Sequence, residues 1–222
     1  AGKAIVFLLL IGSVAAWSIM LTKFNECRRA YEESMLFQTA YRKQEHPLAF
    51  SISRKPCPDG PLAIIYRTVS LGLREICERH GMDMETLAGN SGKSFAGLNA
   101  PEIKTIRNLA EQAVDEQIIA LERNMIVLGT AATAAPFVGL LGTVWGILDA
   151  FGGLAIHGSA TLSAVAPGIC GSLLTTMIGL IVALPSLIGY NMLTNRIRII
   201  ITIMEHFADN FTADIERLCA HN

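Results

Sequence analysis

Residues 125–148 read MIVLGTAATAAPFVGLLGTVWGIL, a run without an ionisable side chain that lies between Arg123 and Asp149. About 20 helical residues cross a hydrocarbon core of about 30 Å, so this run is long enough to span a membrane. Upstream of it, Lys23 to Arg123 carry 14 basic and 14 acidic residues; downstream, no basic residue appears before Arg196. Across the whole chain of 222 residues, 51% are hydrophobic and 17% charged, against about 25% charged in a soluble domain. The deficit is concentrated in three stretches, so the composition describes an integral membrane protein with a polar insert between its first two spans.

The first of those stretches runs from about Ala4 to Thr22, AIVFLLLIGSVAAWSIMLT. It exceeds the apolar core of about 7–15 residues found in a signal peptide, and Trp17 with Lys23 has the character of an interface anchor. We read it as a retained helix. The third stretch covers 164–191. The connection 151–163 carries no Lys or Arg, whereas the insert and the Arg196–Arg198 flank are basic. The positive-inside rule then puts the insert and the C-terminus in the cytoplasm and the N-terminus outside, with Lys3 as a small contrary vote. The organisation expected is a first span over 1–23, a cytoplasmic helical insert over 24–123 and a second span over 124–150. A periplasmic loop over 151–163, a third span over 164–191 and a cytoplasmic C-terminal helix over 192–222 complete it.

The fold class expected is all-α, three transmembrane helices with long helices extending into the cytoplasm. Segments 24–50 and 62–79 lack strand alternation, and Pro56, Pro58, Gly60 and Pro61 mark a turn between them. Asn99-Ala100-Pro101-Glu102 has the form of a capped helix start. With no strong breaker before Pro136, one helix is expected from Glu102 through to Phe151. Beyond the third span, Leu193, Ile197, Ile200, Met204, Phe207, Phe211, Ile215 and Leu218 recur at steps of three and four. They form a packing seam, expected to meet the cytoplasmic part of the second long helix.

The two later spans carry matching stripes of small residues. Gly129, Ala132, Pro136, Gly139, Thr143, Gly146 and Ala150 lie on one face of the second. Gly168, Ser172, Thr176, Gly179, Ala183, Ser186 and Tyr190 do so on the third. Val138, Leu141, Trp145 and Leu148 oppose the first stripe, and Leu174, Ile181 and Ile188 the second. Small faces permit close helix approach in lipid, which accounts for the glycines alone. The hydroxyls of Thr143, Ser172 and Thr176 go further and point to a polar interior that admits another helix. Proton relays use carboxylates or histidines inside the membrane. Between Asn124 and Arg196 the one ionised residue is Asp149, at the end of its span, so if protons cross here a partner must bring the titrating group.

Other chemistries find little support. The formal net charge of −1 and the lack of a basic patch speak against nucleic acid. Cys27, Cys57, Cys77, Cys170 and Cys219 form no metal-binding or disulfide pattern, so neither metal nor cofactor is expected. Gly89-Asn90-Ser91-Gly92-Lys93-Ser94 lacks the leading glycine of a phosphate loop, with Leu87 in its place. Three spans without an inverted repeat argue against a secondary transporter. No nucleophile–base pair can be assembled for an enzyme.

Pro136-Phe137-Val138-Gly139-Leu140-Leu141-Gly142-Thr143-Val144-Trp145-Gly146-Ile147 resembles the second-span signature of the ExbB/TolQ proteins, which are related to MotA. Val165-Ala166-Pro167-Gly168-Ile169, with Thr176, Gly179, Leu180, Pro185 and Tyr190-Asn191, resembles their third-span signature. The resemblance implies a proton-driven motor in the bacterial inner membrane. Such chains form a homo-oligomeric ring, a pentamer in the family, around single-span ExbD/TolR-type partners that supply an aspartate. Force then passes to a TonB- or TolA-type protein. The resemblance also implies that Thr143 and Thr176 face that aspartate, within a smooth wall of Ser172, Gly139, Gly146, Gly168, Gly179, Pro136, Pro167, Ala183 and Tyr190. Most of the family has a third-span glutamate in a motif like Gly-Ile-Ala-Glu-Ala-Leu. The aligned run here is Gly168-Ile169-Cys170-Gly171-Ser172-Leu173, with Gly171 at that place. The departure leaves open a dispensable glutamate, a different route of conduction, or a scaffold that does not conduct.

Overall fold

The computed structural model describes residues 2–44, 46–53, 59–80, 98–157 and 162–220. The fold is all-α, and the described residues contain no strand. Among the described residues six helices follow one another: α1 Gly2–Arg42, α2 Ala49–Ser53, α3 Pro61–Arg79, α4 Ala100–Glu122, α5 Met125–His157 and α6 Leu162–Ala220. Three of them, α1, α5 and α6, contain segments long and apolar enough to cross a membrane. The chain divides into two compact units, Ala1–Asn25 with Glu122–Asn195, and Glu26–Leu121 with Arg196–Asn222.

In the first unit the usual polarity of a protein is reversed. Leu141, Trp145, Leu148, Leu174, Ile181 and Ile188 are exposed, while Thr143, Ser172, Thr175 and Ser186 are buried. Water would penalise such an exterior, and lipid does not; in lipid the inside is chosen by close packing and hydrogen bonding instead. The apolar core is correspondingly small, with Leu9, Ala135, Val182 and Ala183 at its centre. Val138, expected on the bulky outer face, packs against this cluster together with Ile5 and Ile178. It sits at the edge of its stripe, where α1 covers it. Helix α5 continues through Pro136 and α6 through Pro167 and Pro185.

The second unit is built conventionally, with apolar residues inside. Its α3 starts with Pro61 at the first position, where a missing N–H costs nothing, behind Gly60 at φ 123°. A Cβ on Gly60 would stand 2.7 Å from that of Glu33, so the close approach to α1 also needs glycine. Helix α4 starts as its sequence indicates: the Asn99 N–H donates to Glu102 Oε2 at 2.9 Å, and the Glu102 N–H to the Asn99 carbonyl at 2.8 Å. Glu102 also meets His80 Nε2 at 2.6 Å, and these contacts hold its carboxyl below the usual carboxylate range, the bond to His80 most of all.

The seam residues Leu193 to Ile215 are buried, and Leu218 is half-buried. The expected partner, α4, is one of three. In the second unit the seam's aromatics meet α1 and α3: Phe207 lies 5.4 Å from Phe37 and 5.3 Å from Tyr41, and Phe211 lies 4.8 Å from Tyr66, centroid to centroid. Helix α4 also meets α6, through the pair Arg107–Glu216 at 2.7 Å, and buries its own Ile106, Val114 and Leu121. Tyr41 donates to Asp214 Oδ2 at 3.2 Å, and burial followed by that carboxylate raises its pKa.

A correction concerns the helix expected from Glu102 to Phe151. It is broken at Asn124, which has φ 68°. That left-handed conformation ends a helix, and asparagine adopts it more readily than any residue but glycine. The sequence has no glycine or proline there, so the break has no obvious signature. The connection expected over 151–163 is mostly helical, since α5 extends to His157 and α6 begins at Leu162. Conversely, α1 and α6 pass residues 23–24 and 191–192 without interruption. The sequence Gly89 to Ser94 and the residues Pro56 and Pro58 lie outside the described residues.

Candidate functional site

The two small-residue stripes pack against each other. Along α5 and α6, Gly129 meets Tyr190, Gly139 meets Thr176 and Gly179, Gly146 meets Ser172, and Ala150 meets Gly168. A Cβ on Gly139 would lie 3.0 Å from the Thr176 Cα, and one on Gly179 would lie 2.7 Å from the Ala135 carbonyl oxygen. The glycines are therefore used as the simpler reading of them requires, for backbone contact.

At the closest approach lies a cluster of hydroxyls. Thr143 Oγ1 donates to the Gly139 carbonyl on its own helix and the Ser172 carbonyl on α6, each at 3.3 Å. Thr176 Oγ1 reaches the same Gly139 carbonyl at 3.0 Å and is hydrogen-bonded to Thr143 Oγ1. Thr175 Oγ1 also meets Gly139 O, at 3.2 Å, and Ser172 O at 2.7 Å. Ser172 Oγ donates back to Ile169 at 2.7 Å. An isolated threonine in a membrane helix satisfies itself on its own backbone, as Thr130 does on Ile126 at 2.7 Å. Here the hydroxyls cross from helix to helix and converge on one carbonyl.

Of the residues singled out in the sequence, Thr143, Ser172, Gly139, Gly179 and Ala183 are buried within the chain. Thr176, Gly146, Pro136 and Tyr190 are half-buried, while Gly168 and Pro167 are exposed. Two members of the cluster escape a stripe drawn one residue wide. Thr175 stands beside Thr176 and three residues after Ser172, a step that keeps it on the same broad face. Gly142 makes room for it, since a Cβ there would be 2.6 Å from Thr175 Oγ1. At one end of this helix pair opens a groove of about 730 Å³, lined by Gly146, Asp149, Gly168, Gly171, Ser172 and Thr175, with Val6 from α1. Cys170 is exposed, while Cys27 and Cys77 are buried.

A charge-free helix pair joined by hydroxyls, with bulky apolar side chains outside, is the arrangement of a polytopic helical membrane protein. The chain belongs to the MotA/TolQ/ExbB proton channel family, whose pattern matches residues 79–206. It is 28% identical over 217 residues to the Tol-Pal system protein TolQ of Pseudomonas aeruginosa, covering 97% of this chain and 87% of that one. TolQ of Haemophilus influenzae is 40% identical over 121 residues, 54% of this chain and 53% of the relative. The biopolymer transport protein ExbB of Salmonella typhimurium is 28% identical over 199 residues, covering 88% and 73%.

Proposed function

We propose that the chain is the ring-forming subunit of a proton-driven motor in a bacterial inner membrane. It acts with a single-span partner of the ExbD/TolR type and serves a TonB- or TolA-type protein in outer-membrane transport or maintenance. The observation that carries this reading is the cluster of Thr143, Thr175 and Thr176 hydroxyls on the Gly139 and Ser172 carbonyls, within spans that hold no charge except Asp149. Hydroxyls order water and hydrogen-bond a carboxylic acid without titrating at neutral pH. The chain thus supplies a path, and the partner's aspartate supplies the proton carrier.

In this arrangement the copies form a closed ring, because one chain cannot surround a partner helix; that the ring is a pentamer is what the family resemblance implies. The half-buried and exposed rim of the stripe faces the partner: Thr176, Gly146, Gly168, Pro136, Pro167 and Tyr190. Gly139, Gly179, Ser172 and Ala183 hold the rim in place from behind. The N-terminus and 151–163 are periplasmic, with 24–123 and 192–222 in the cytoplasm and the spans at 1–23, 124–150 and 164–191. A second reading, a scaffold that does not conduct, is favoured by one observation: each of these hydroxyls already has a protein acceptor.

The test is proton flux in vesicles holding the chain and its partner. Thr143→Ala and Thr176→Ala should each lower flux to the level of empty vesicles while the ring still assembles. Full flux in both variants contradicts the path; no flux in the unchanged complex selects the scaffold.

A further inference from the structure

Asp149 has no counterpart in the hydroxyl cluster, yet it is the one ionised side chain from Asn124 to Asn195. Its position on α5 places it in the wall of the groove of about 730 Å³, to which α1 contributes Val6 and α6 contributes Gly171, Ser172 and Thr175. Among the described residues, Asp149 is the only Asp, Glu, His, Lys, Arg, Cys or Tyr in that lining. Ser172 and Thr175 belong both to the groove and to the hydroxyl cluster: Thr175 Oγ1 bonds the Ser172 carbonyl, which Thr143 also reaches. The exposed carboxylate and two members of the hydroxyl cluster, Ser172 and Thr175, therefore line one groove. Gly171 keeps the groove open, since a Cβ there would touch nothing within 4 Å.

We infer that this groove is the outer mouth of the ion path, in which the Asp149 carboxylate gathers a monovalent cation, hydronium or sodium, and delivers it to the oxygens of Ser172 and Thr175. The inference rests on the proposed channel function and adds to it a residue of this chain with a charge. A carboxylate in a groove with apolar walls, here Val6, Ala150 and Leu174, raises the local concentration of cations and lowers that of anions. Asp149 is here a collecting group and not the proton carrier of the motor cycle.

The test has two arms, both on the full-length chain. In the first, Gly171→Cys is made together with Cys170→Ser, and the introduced thiol is titrated with cationic and anionic methanethiosulfonates, the modified peptide being identified by mass spectrometry. The cationic reagent should react about tenfold faster, and Asp149→Asn should erase that preference while Asp149→Glu keeps it. In the second arm, flux of protons and of sodium is measured separately in vesicles holding the chain and its partner. Asp149→Asn should lower the flux of the conducted ion several-fold and Asp149→Glu should restore it. Equal reagent rates with Asp149 present overturn the inference, and so does undiminished flux in Asp149→Asn. No flux of either ion in the unchanged complex overturns the channel reading and this inference with it, whereas a failure confined to the Asp149 variants leaves the channel reading standing.

Discussion

Gly139 on α5 and Gly179 on α6 meet with no space for a methyl group on either: a Cβ on Gly179 would lie 3.1 Å from the Gly139 Cα and 2.7 Å from the Ala135 carbonyl oxygen. Alanine is the better helix former by about 1 kcal/mol, so propensity alone would make Gly179→Ala stabilising. The overlap is with backbone atoms, which cannot rotate aside, and overpacking of this kind costs about 1–3 kcal/mol. Gly179→Ala should therefore destabilise the protein in detergent. Gly152→Ala, where an added Cβ meets nothing within 4 Å, should leave its melting temperature unchanged or raise it. Equal melting temperatures for the two variants would contradict the close contact.

Thr143 and Thr176 should behave as a coupled pair. Each loses the same inter-helix hydrogen bond when truncated, so the double variant should cost less than the two single variants together. The discrepancy should be about 1 kcal/mol, measured by unfolding in mixed micelles. Strict additivity would mean that the two hydroxyls do not interact.

The stripes, the three spans and the bulky outer faces were legible because helical periodicity projects directly onto helix faces. What the stripes touch was not legible in the same way. A row of small residues fits a neighbouring helix of the same chain as well as a foreign one, and Gly139, Gly179 and Ser172 are in fact occupied by the chain itself. Thr175 was hidden by the narrowness of a stripe counted in single steps. The break at Asn124 was hidden because only a backbone angle marks it. The partners of Phe207 and Phe211 depend on contacts to Phe37, Tyr41 and Tyr66, more than a hundred residues away in sequence, which periodicity does not encode.

That aromatic group predicts the largest single cost. Phe211 is fully buried; it stacks on Phe207, lies tilted against Tyr66 and meets Tyr41 edge to face. Phe211→Ala should destabilise the second unit by about 3–5 kcal/mol. Phe211→Leu should recover much of the loss. Protease sensitivity between residues 26 and 121 provides the measurement, and a resistant Phe211→Ala variant would contradict it.

Acidification should loosen the start of α4. The folded-state pKa of Glu102 is lowered, chiefly by the hydrogen bond to His80 and next by the Asn99 N–H. A lowered carboxyl pKa contributes stability above the unfolded value of about 4.5, and that contribution is lost as pH falls through the folded value. The protection of the amides of Asn99, Ala100, Glu102 and Ile103, taken relative to the intrinsic exchange rate at each pH, should therefore fall below pH about 4.5. Glu102→Gln should remove the acid-dependent step. An identical pH profile in that variant would assign the step to another group.

Asn124 gives a simpler test of backbone conformation. Asn124→Gly should be close to neutral, because glycine takes φ 68° without strain. Asn124→Val should cost about 1–2 kcal/mol, the penalty for a branched residue in the left-handed region. Equal thermal stability of the two variants would contradict the break.

The convergence of three threonine hydroxyls on the Gly139 carbonyl has one more consequence. Thr143 and Thr175 can each turn instead to the Ser172 carbonyl, and Thr143 and Thr176 can exchange donor and acceptor roles. Several arrangements of the hydrogens thus fit a single arrangement of the oxygens. Passing between them requires only rotation about C–O bonds. In this respect the centre of the helix pair is like ice: its oxygen lattice is ordered, its protons are not, and a reversal of polarity along the chain of hydroxyls requires no helix to move.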